Sequence, residues 1–524
     1  MNILIAEPLA APALKLLNSQ PGWNVVVSSP KDFTLHLPTA EALIVRSAVA
    51  VDASVLSAAP KLRVIGRAGV GVDNIDLPAA TAAGILVLNT PGGNAVSVAE
   101  HTVALMLSLA RSIPTASAST KSGKWEKRKF IGTELRGKTL GIVGLGSIGR
   151  EVLKRAAAFE MHIIAHDPYV HSATAKDVGV ELVDLAKLYA ESDYITLHTA
   201  LTPESRHLLS ADAFAKMKPG VRIINCARGE LIDQDALRDA LASGKIGGAA
   251  LDVFEKEPPA GDDPMLKMDS FVATPHIGGS TEEAQEIVGV RIAEQIVEYL
   301  QNGVALHAVN MPALTPEQYK TLGPYSKLAE RLGNFASFIS TGNPKAVRLL
   351  YFGKIAKLST HLVRNAGLAG VLQRSLAGKA NSINAMQIAG DRGLTVAERH
   401  DKRTAHTDSV RLELETDTGM TSVEGAVVLD QPRLLQVDGI YCEALLDGHL
   451  TFLKNQDVPG VIGYIGGVLG KNGINIATFS LGRRGAGAEA VSVIETDQPI
   501  PEPVLAQLLQ NPAVKVARSV KFTG

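Results

Sequence analysis

The stretch TLGIVGLGSIGREVLKRAAAFEMHIIAHD, Thr139 to Asp167, decides the fold. TLGIV reads as a strand, GLGSIG at Gly144 to Gly149 is a GxGxxG turn, REVLKRAAAF reads as a helix, and MHIIAH is a second strand ending in Asp167. A GxGxxG alone is a common glycine turn. Placed between a strand and a helix, with an acid eighteen positions after Gly149, it becomes a dinucleotide fingerprint. Gly144, Gly146 and Gly149 permit a tight turn and close approach of a pyrophosphate to the helix N-terminus, where unpaired N–H groups point at it. Asp167 would accept hydrogen bonds from the adenosine ribose and repel a 2′-phosphate, so NAD is expected rather than NADP.

Working outward, YITLHT, RIINCA, AALDVF and FVATPH continue the β/α series, each ending in a loop rich in Gly, Pro, Asp or Ser. Ligands of open α/β sheets bind at such strand ends. Toward the N-terminus, Asn2 to Glu7, RVIGRAGVGVDNIDLPAA (Arg63 to Ala80) and GILVLNTPGGN (Gly84 to Asn94) form another series. The alternation predicts parallel sheets covered by helices. VSVAEHTVALMLSLA, Val96 to Ala110, reads as a long linking helix. Thr281 to Leu300 reads as an amphipathic helix carrying the chain back to the first domain, which is therefore split in sequence.

VNMPALTP, Val309 to Pro316, reads as a boundary, and the composition then shifts toward weakly periodic Lys-, Arg- and Asn-containing segments that reveal no site. From His449 the order is strand, helix, strand, strand, helix, strand, a ferredoxin-like unit. The expected fold is α/β: two doubly wound parallel-sheet domains, an α+β intervening domain and a C-terminal ferredoxin-like domain. Expected boundaries are 1–98 with 284–312 (substrate binding), 99–283 (NAD binding), 313–446 (intervening) and 449–524 (regulatory).

With 524 residues the chain has room for several domains. A formal net charge of -1 offers no field for a nucleic acid backbone or an anionic membrane, so a small-molecule partner is expected. Cys226 and Cys442 are too few for a disulfide framework or a structural zinc, and no metal is expected. The opening MNILIAEPLAAPALKLL lacks a basic leader, and no stretch has the length of a membrane span, so a cytoplasmic location is expected.

Hydride transfer from a 2-hydroxy acid needs a base for the hydroxyl proton, a cation for the carboxylate and a group orienting the base. The second series offers all three at strand ends: His276 closing FVATPH, Arg228 after RIINCA and Glu257 after AALDVF. Taken singly, each has an ordinary reading as a surface charge or a packed histidine.

GRAGVGVDNID, NTPGGNAVSVAEH, GLGSIG, NCARGE, ALDVFEKEPP and TPHIGGST together resemble the D-isomer-specific 2-hydroxyacid dehydrogenases over the first two domains. The resemblance implies His276 as acid/base, Glu257 as its partner and Arg228 as carboxylate anchor. It also implies that Ser147, Ile148, Asp167, Thr199, Cys226, Ala227, Asp252, Gly278 and Val70 line the cofactor. Within that family the chain looks most like the members that open serine biosynthesis by oxidising 3-phospho-D-glycerate to 3-phosphooxypyruvate. Arg46, Ser47, Arg67, Asn94 and Lys127 are then candidates for substrate and phosphate binding, although Lys127 to Lys129 also reads as a solvated basic face.

The last domain resembles an ACT module, and Asn455, Asp457 and Asn475 match in type the residues that hold an amino-acid effector, L-serine in some members. Another amino acid, or none, stays open. The segment before it resembles the extra domain of the long form. NGINIATFSLGRR offers an edge strand for pairing between copies, so a homo-oligomer, a tetramer by resemblance, is expected. Other readings are a glyoxylate or D-lactate type reductase, a 2-oxoglutarate reductase as side or main activity, and a non-catalytic NAD-sensing corepressor, which would lack the ACT tail.

Overall fold

The computed structural model describes residues 1–177, 179–312, 314–376, 379–401 and 407–522, which form four sheets. The first contains β1 (Asn2–Ile5), β2 (Asn24–Val27), β3 (Ala42–Val45), β4 (Val64–Arg67) and β5 (Leu86–Leu88), all parallel in the order β2-β1-β3-β4-β5. Every residue of β3, ALIV, is buried, as a parallel strand covered on both faces requires. The strand order reverses between β1 and β3, and the loops after those two strands carry Glu7 and Arg46.

The helix Glu282–Asn302 is capped by Thr281, whose side chain accepts from the Ala284 N–H, and it ends at Gly303 in a left-handed conformation, φ 71°. Its Val288, Ile292, Ile296 and Leu300 share one core with Ile3, Ile5, Ile44 and Val64, so the chain returns to the first sheet.

The second sheet contains β6 (Thr139–Val143), β7 (His162–His166), β8 (Glu181–Leu182), β9 (Tyr194–Leu197), β10 (Val221–Asn225), β11 (Ile246–Leu251) and β12 (Phe271–Ala273). Its order is β12-β11-β10-β9-β6-β7-β8, all parallel, reversing between β6 and β9 at the glycine turn. The helix Ala95–Arg111 buries Val98, Leu105 and Met106 in a core with Leu140 and Ile142.

The third sheet is mixed: β13 (Pro344–Phe352), β14 (Thr395–Asp401), β15 (Ser409–Thr416), β16 (Met420–Val428), β17 (Gln431–Val437) and β18 (Ile440–Leu445), ordered β14-β13-β15-β16-β17-β18. Only β13 and β14 pair in parallel. The helices Pro316–Ile339 and His361–Leu376 pack together closely enough that a side chain on Gly333 would overlap the Gly367 carbonyl.

The fourth sheet contains β19 (His449–Gln456), β20 (Ile476–Arg483), β21 (Glu489–Thr496) and β22 (Val514–Lys521), antiparallel in the order β20-β21-β19-β22. With the helices Val461–Lys471 and Glu502–Leu508 it makes the βαββαβ unit that the sequence indicates. Leu453 and Ile494 face those helices. The other face joins the core of the third sheet, where Phe452 meets Phe335 edge-on with ring centroids 5.9 Å apart. Arg331, 6% exposed, pairs with Asp447 at 2.9 Å and stands over the Phe522 ring.

This packing limits how much of the β20 edge is open for the pairing between copies that the sequence suggests. Ser480 donates to the Glu443 carbonyl, and a side chain on Gly482 would overlap the Tyr441 carbonyl, so β18 of the same chain covers the second half of that strand. Ala477 and Thr478, in its first half, remain exposed. Among the described residues, no helix is long and apolar enough to cross a membrane.

Candidate active site

The three glycines of the turn between β6 and the helix Ser147–Ala158 are there for three reasons. Gly144 has φ 97°, and a side chain would sit 2.5 Å from the His198 carbonyl; on Gly149 it would overlap the Gly144 carbonyl; on Gly146 it would meet nothing within 4 Å. The first two glycines let strand, turn and helix close together, and the third leaves open space over a helix N-terminus that no side chain caps. A cleft of about 810 Å³, bordered by Gly92, Val96, Ser147 and Arg150, opens there.

Asp167, at the end of β7, accepts from Leu145 N–H at 2.8 Å and from Tyr169 N–H at 2.9 Å, which pins the turn and leaves lone pairs for ribose hydroxyls. Thr199 adjoins Gly144, and Ser147 stands opposite Gly92. Ile148 is partly buried against the core that holds Cys226, and Ala227 is buried in the neighbouring core with Phe254 and Leu231. Burial pushes the Cys226 thiol up to about 12, so it is a neutral packing group. An adenine dinucleotide fits this site by its open glycine, uncapped helix and carboxylate.

Asp252 is 1% exposed. Its carboxylate accepts from Thr274 Oγ1, Ile277 N and Gly278 N and pairs with His101 at 3.3 Å. Burial pushes the carboxyl up, but the hydrogen bonds from His101, Thr274, Ile277 and Gly278 together hold it below its ordinary range. Asp252 therefore shapes the loop that carries His276, and Gly278 is buried against it.

His276 follows β12 in a left-handed conformation, φ 55°, held by its N–H to the carbonyls of Asp252 and Thr274. A non-glycine residue in that region carries strain of about 1–3 kcal/mol. Its Nδ1 lies 2.8 Å from Glu257 Oε2, while Glu257 Oε1 accepts from the Phe254 N–H at 3.1 Å. The imidazole is thus fixed at one nitrogen, with Nε2 left for a substrate proton. Both side chains are solvent-accessible, 53% for His276 and 39% for Glu257, beside a cavity of about 350 Å³.

Arg228 leaves β10 and reaches the first domain: its Nε and Nη2 meet Asp73 Oδ2 at 3.0 and 2.8 Å, with Gly71 in close contact. Arg67, at the end of β4, keeps its Nε buried without a partner. Desolvation holds the Arg67 pKa below the usual guanidinium value, and repulsion from Arg228 and Arg46 adds to it, while Asp73 and Glu7 oppose it. Arg67 thus feels the charge of Arg46, from its own sheet, and of Arg228, from the other. Arg46 and exposed Ser47 lie on a loop shaped by Glu7, which accepts from the N–H groups of Arg46, Ala48 and Val49. Val70, whose carbonyl accepts from Asn89, sits in the loop that Arg228 contacts. Asn94 packs against Gly279 just beyond His276, its Oδ1 buried without a partner.

Lys127 is not brought to this cleft. It lies in the short helix Lys127–Lys129, whose Lys129 pairs with Asp269 at 3.6 Å. Asp269 precedes β12 whereas His276 follows it, so the basic run sits at the other end of the sheet. Nor do the three regulatory candidates meet within one chain. β19 and β20 both run antiparallel to β21, hence parallel to each other; Asn455 is near the end of β19, and Asn475 precedes the start of β20. Asp457 pairs with Arg483 at 2.9 Å, whereas Asn475 donates to Asp497 at the opposite end.

Sequence reasoning missed Glu7, Asp73, His101 and His198. His198 lies beneath the glycine turn with Nδ1 buried and unpartnered, and burial pushes its pKa down to about 3. The only signal for Asp73 and His101 was their place inside GRAGVGVDNID and AVSVAEH.

Residues 103–278 match the D-isomer specific 2-hydroxyacid dehydrogenase NAD binding domain, 321–438 the D-3-phosphoglycerate dehydrogenase intervening domain, and 449–513 the ACT domain. The chain is 44% identical to the D-3-phosphoglycerate dehydrogenase of Methanocaldococcus jannaschii over 98% of each chain, and 42% identical to that of Archaeoglobus fulgidus over 96% of each. A solved structure from Thermus thermophilus, 35% identical, aligns with a TM-score of 0.55 over 59% of this chain and all of that one. With NAD as its cofactor, the chain is an oxidoreductase that belongs to the D-3-phosphoglycerate dehydrogenase family.

Proposed function

We propose that the chain oxidises 3-phospho-D-glycerate to 3-phosphooxypyruvate, with His276, Glu257 and Arg228 as its catalytic residues. The observation that carries this reading is the ion pair by which Arg228 of the second sheet reaches Asp73, in the loop after β4 whose Arg67 keeps a buried, unpartnered Nε, together with the His276–Glu257 pair after β12. Bound NAD supplies the hydride acceptor. His276 Nε2 takes the hydroxyl proton, and the bond from Nδ1 to Glu257 keeps the ring in the tautomer that can accept it and stabilises the imidazolium that forms. The planar Arg228 guanidinium suits a two-pronged hold on the substrate carboxylate, which must share it with Asp73 or displace Asp73. Arg67 and the Arg46–Ser47 loop supply charge for the phosphate, and domains 1–98 with 284–312 and 99–283 form the two walls.

The test is NADH formation with a panel of 2-hydroxy acids and NADH oxidation with 2-oxoglutarate, each with and without L-serine. Faster turnover of D-lactate or glycerate than of 3-phosphoglycerate sinks the substrate assignment. An L-serine effector is part of the same reading, with Asn455 and Asp457 of one copy and Asn475 of another converging on it in a homo-oligomer. This is supported by the separation of these residues within one chain and by exposed Trp125 and Ile131, each 85% accessible, on a surface arm. Unchanged initial rate and thermal stability at saturating L-serine count against regulation. A cytoplasmic location follows from this function.

A further inference from the structure

The loop after β11 carries two glutamates, Glu255 and Glu257, and each takes a histidine from a different loop. Glu257 takes His276, from the loop after β12. Glu255 takes His207, from the loop after β9, whose Nε2 lies 2.5 Å from Glu255 Oε1. In the sheet order β12-β11-β10-β9 the two histidines come from strands on opposite sides of β11. Both hold a left-handed backbone, φ 52° at His207 and 55° at His276. Among the described residues, these are the two non-glycine positions with that conformation in the loops that follow the strands of the second sheet. A side chain there carries strain that glycine would avoid, and such strain collects where the side chain has a task. His276 has one in the proposed reaction; His207 does not yet.

Its neighbours supply it. His207 N–H donates to the carbonyl of Glu230, two residues beyond Arg228, at 2.8 Å, and Leu209 N–H donates to the Leu231 carbonyl at 3.0 Å. The Arg228 loop in turn lies directly on the Glu257 loop: a side chain on Gly229 would overlap the Phe254 carbonyl and the Glu255 nitrogen. Phe254 N–H is itself the donor that holds Glu257 Oε1, at 3.1 Å. His207 is therefore bound by its backbone to the loop of Arg228 and by its imidazole to the loop of Glu257.

We propose that His207 and Glu255 are positioning residues, a clip that holds the Arg228 loop and the Glu257 loop in fixed relation so that carboxylate anchor and acid/base pair meet the substrate together. The proposal rests on Arg228, Glu257 and His276 being the catalytic residues, through which the clip acts. With His207 42% and Glu255 36% exposed, the pair contributes little to global stability. A misplacement of catalytic groups by about 1 Å, by contrast, is costly in rate. Stability and turnover therefore respond differently to its loss.

The test compares His207→Gly, Glu255→Ala and the double variant, each made in the parent chain and in Glu257→Gln. Glycine suits the left-handed backbone at position 207, so that variant keeps its fold. In the parent chain, kcat should fall about tenfold in each single variant and no further in the double, with KM for 3-phosphoglycerate within about threefold and the NADH dissociation constant within about twofold. The thermal midpoint should stay at the parent value. The primary isotope effect on kcat with 3-phosphoglycerate deuterated at C2 should rise, because hydride transfer slows relative to product release. In Glu257→Gln, opening the clip should change kcat by less than about twofold, since the group it positions is already gone. Single variants with kcat within about twofold of the parent, a loss that multiplies in full in Glu257→Gln, or a loss that tracks a lowered thermal midpoint would overturn the proposal while leaving the catalytic assignment standing. Parent-like kcat in Glu257→Gln itself would refute that assignment, and the clip with it.

Discussion

Replacing Arg67 by Met separates a substrate-binding role from a structural one. The unliganded protein keeps this guanidinium partly desolvated, its Nε without a partner, beside a second arginine. Removing the cation therefore breaks no bond at Nε and relieves repulsion with Arg228. A bound anion, by contrast, loses a charge-assisted contact of about 1.5–3 kcal/mol, a roughly 10- to 150-fold rise in KM for 3-phosphoglycerate at 1.4 kcal/mol per decade. Ligand stabilisation follows the same arithmetic. At a substrate concentration of about 100 times the parent Kd, the parent gains about 2.7 kcal/mol, and the variant only about 0.3–1.4 kcal/mol at the same concentration. Steady-state kinetics and thermal melts with and without 3-phosphoglycerate measure both quantities, and the NADH affinity should not move. A KM changed less than threefold together with a thermal midpoint lowered by several degrees would show that Arg67 is structural and refute the reasoning.

Three further substitutions probe the other parts of the site. His276→Ala should lower turnover by at least a thousandfold while the NADH dissociation constant, measured by fluorescence titration, stays within about twofold; lost cofactor binding would contradict its assigned role. Gly144→Ala places a side chain 2.5 Å from the His198 carbonyl at φ 97°, so NADH affinity should fall at least tenfold, by about 1.4 kcal/mol or more. Asp252→Asn tests the carboxylate beneath the His276 loop. Because the folded pKa of Asp252 is held down, its contribution is fully present above the unfolded value of about 3.9 and is lost as pH falls through the folded pKa. The difference in urea midpoint between parent and variant should be constant above about pH 5 and shrink below about pH 4; a gap that widens on acidification would reverse the sign of the argument.

Much of the site lies in short segments whose geometry is local. The turn at Gly144 to Gly149 must be built from glycines because backbone atoms a few residues away occupy the space of a side chain, and that requirement is written in consecutive letters. His276, Glu257 and Arg228 sit at strand ends, which periodicity alone can find. Asp252 was harder. The resemblance sets Asp252 against the cofactor, and only the folded loop adds that Thr274, Ile277, Gly278 and His101 enclose its carboxylate. The distance of Lys127 from this cleft within one chain was hidden for a related reason: charge and nearness in sequence say nothing about which end of a sheet a loop occupies.

By itself the sequence determined the two parallel sheets, the preference for NAD and the βαββαβ tail, because each rests on spacings within about thirty residues, where backbone geometry leaves few alternatives. Tertiary structure decided which charges share a space. Arg67 and Arg228 are coupled although they are 161 positions apart, Asn455 and Asn475 are separated although they are 20 apart, and β18 covers half of an edge that β20 presents as free. Electrostatics and packing act through distance and desolvation, and strand order fixes both only when the chain has folded.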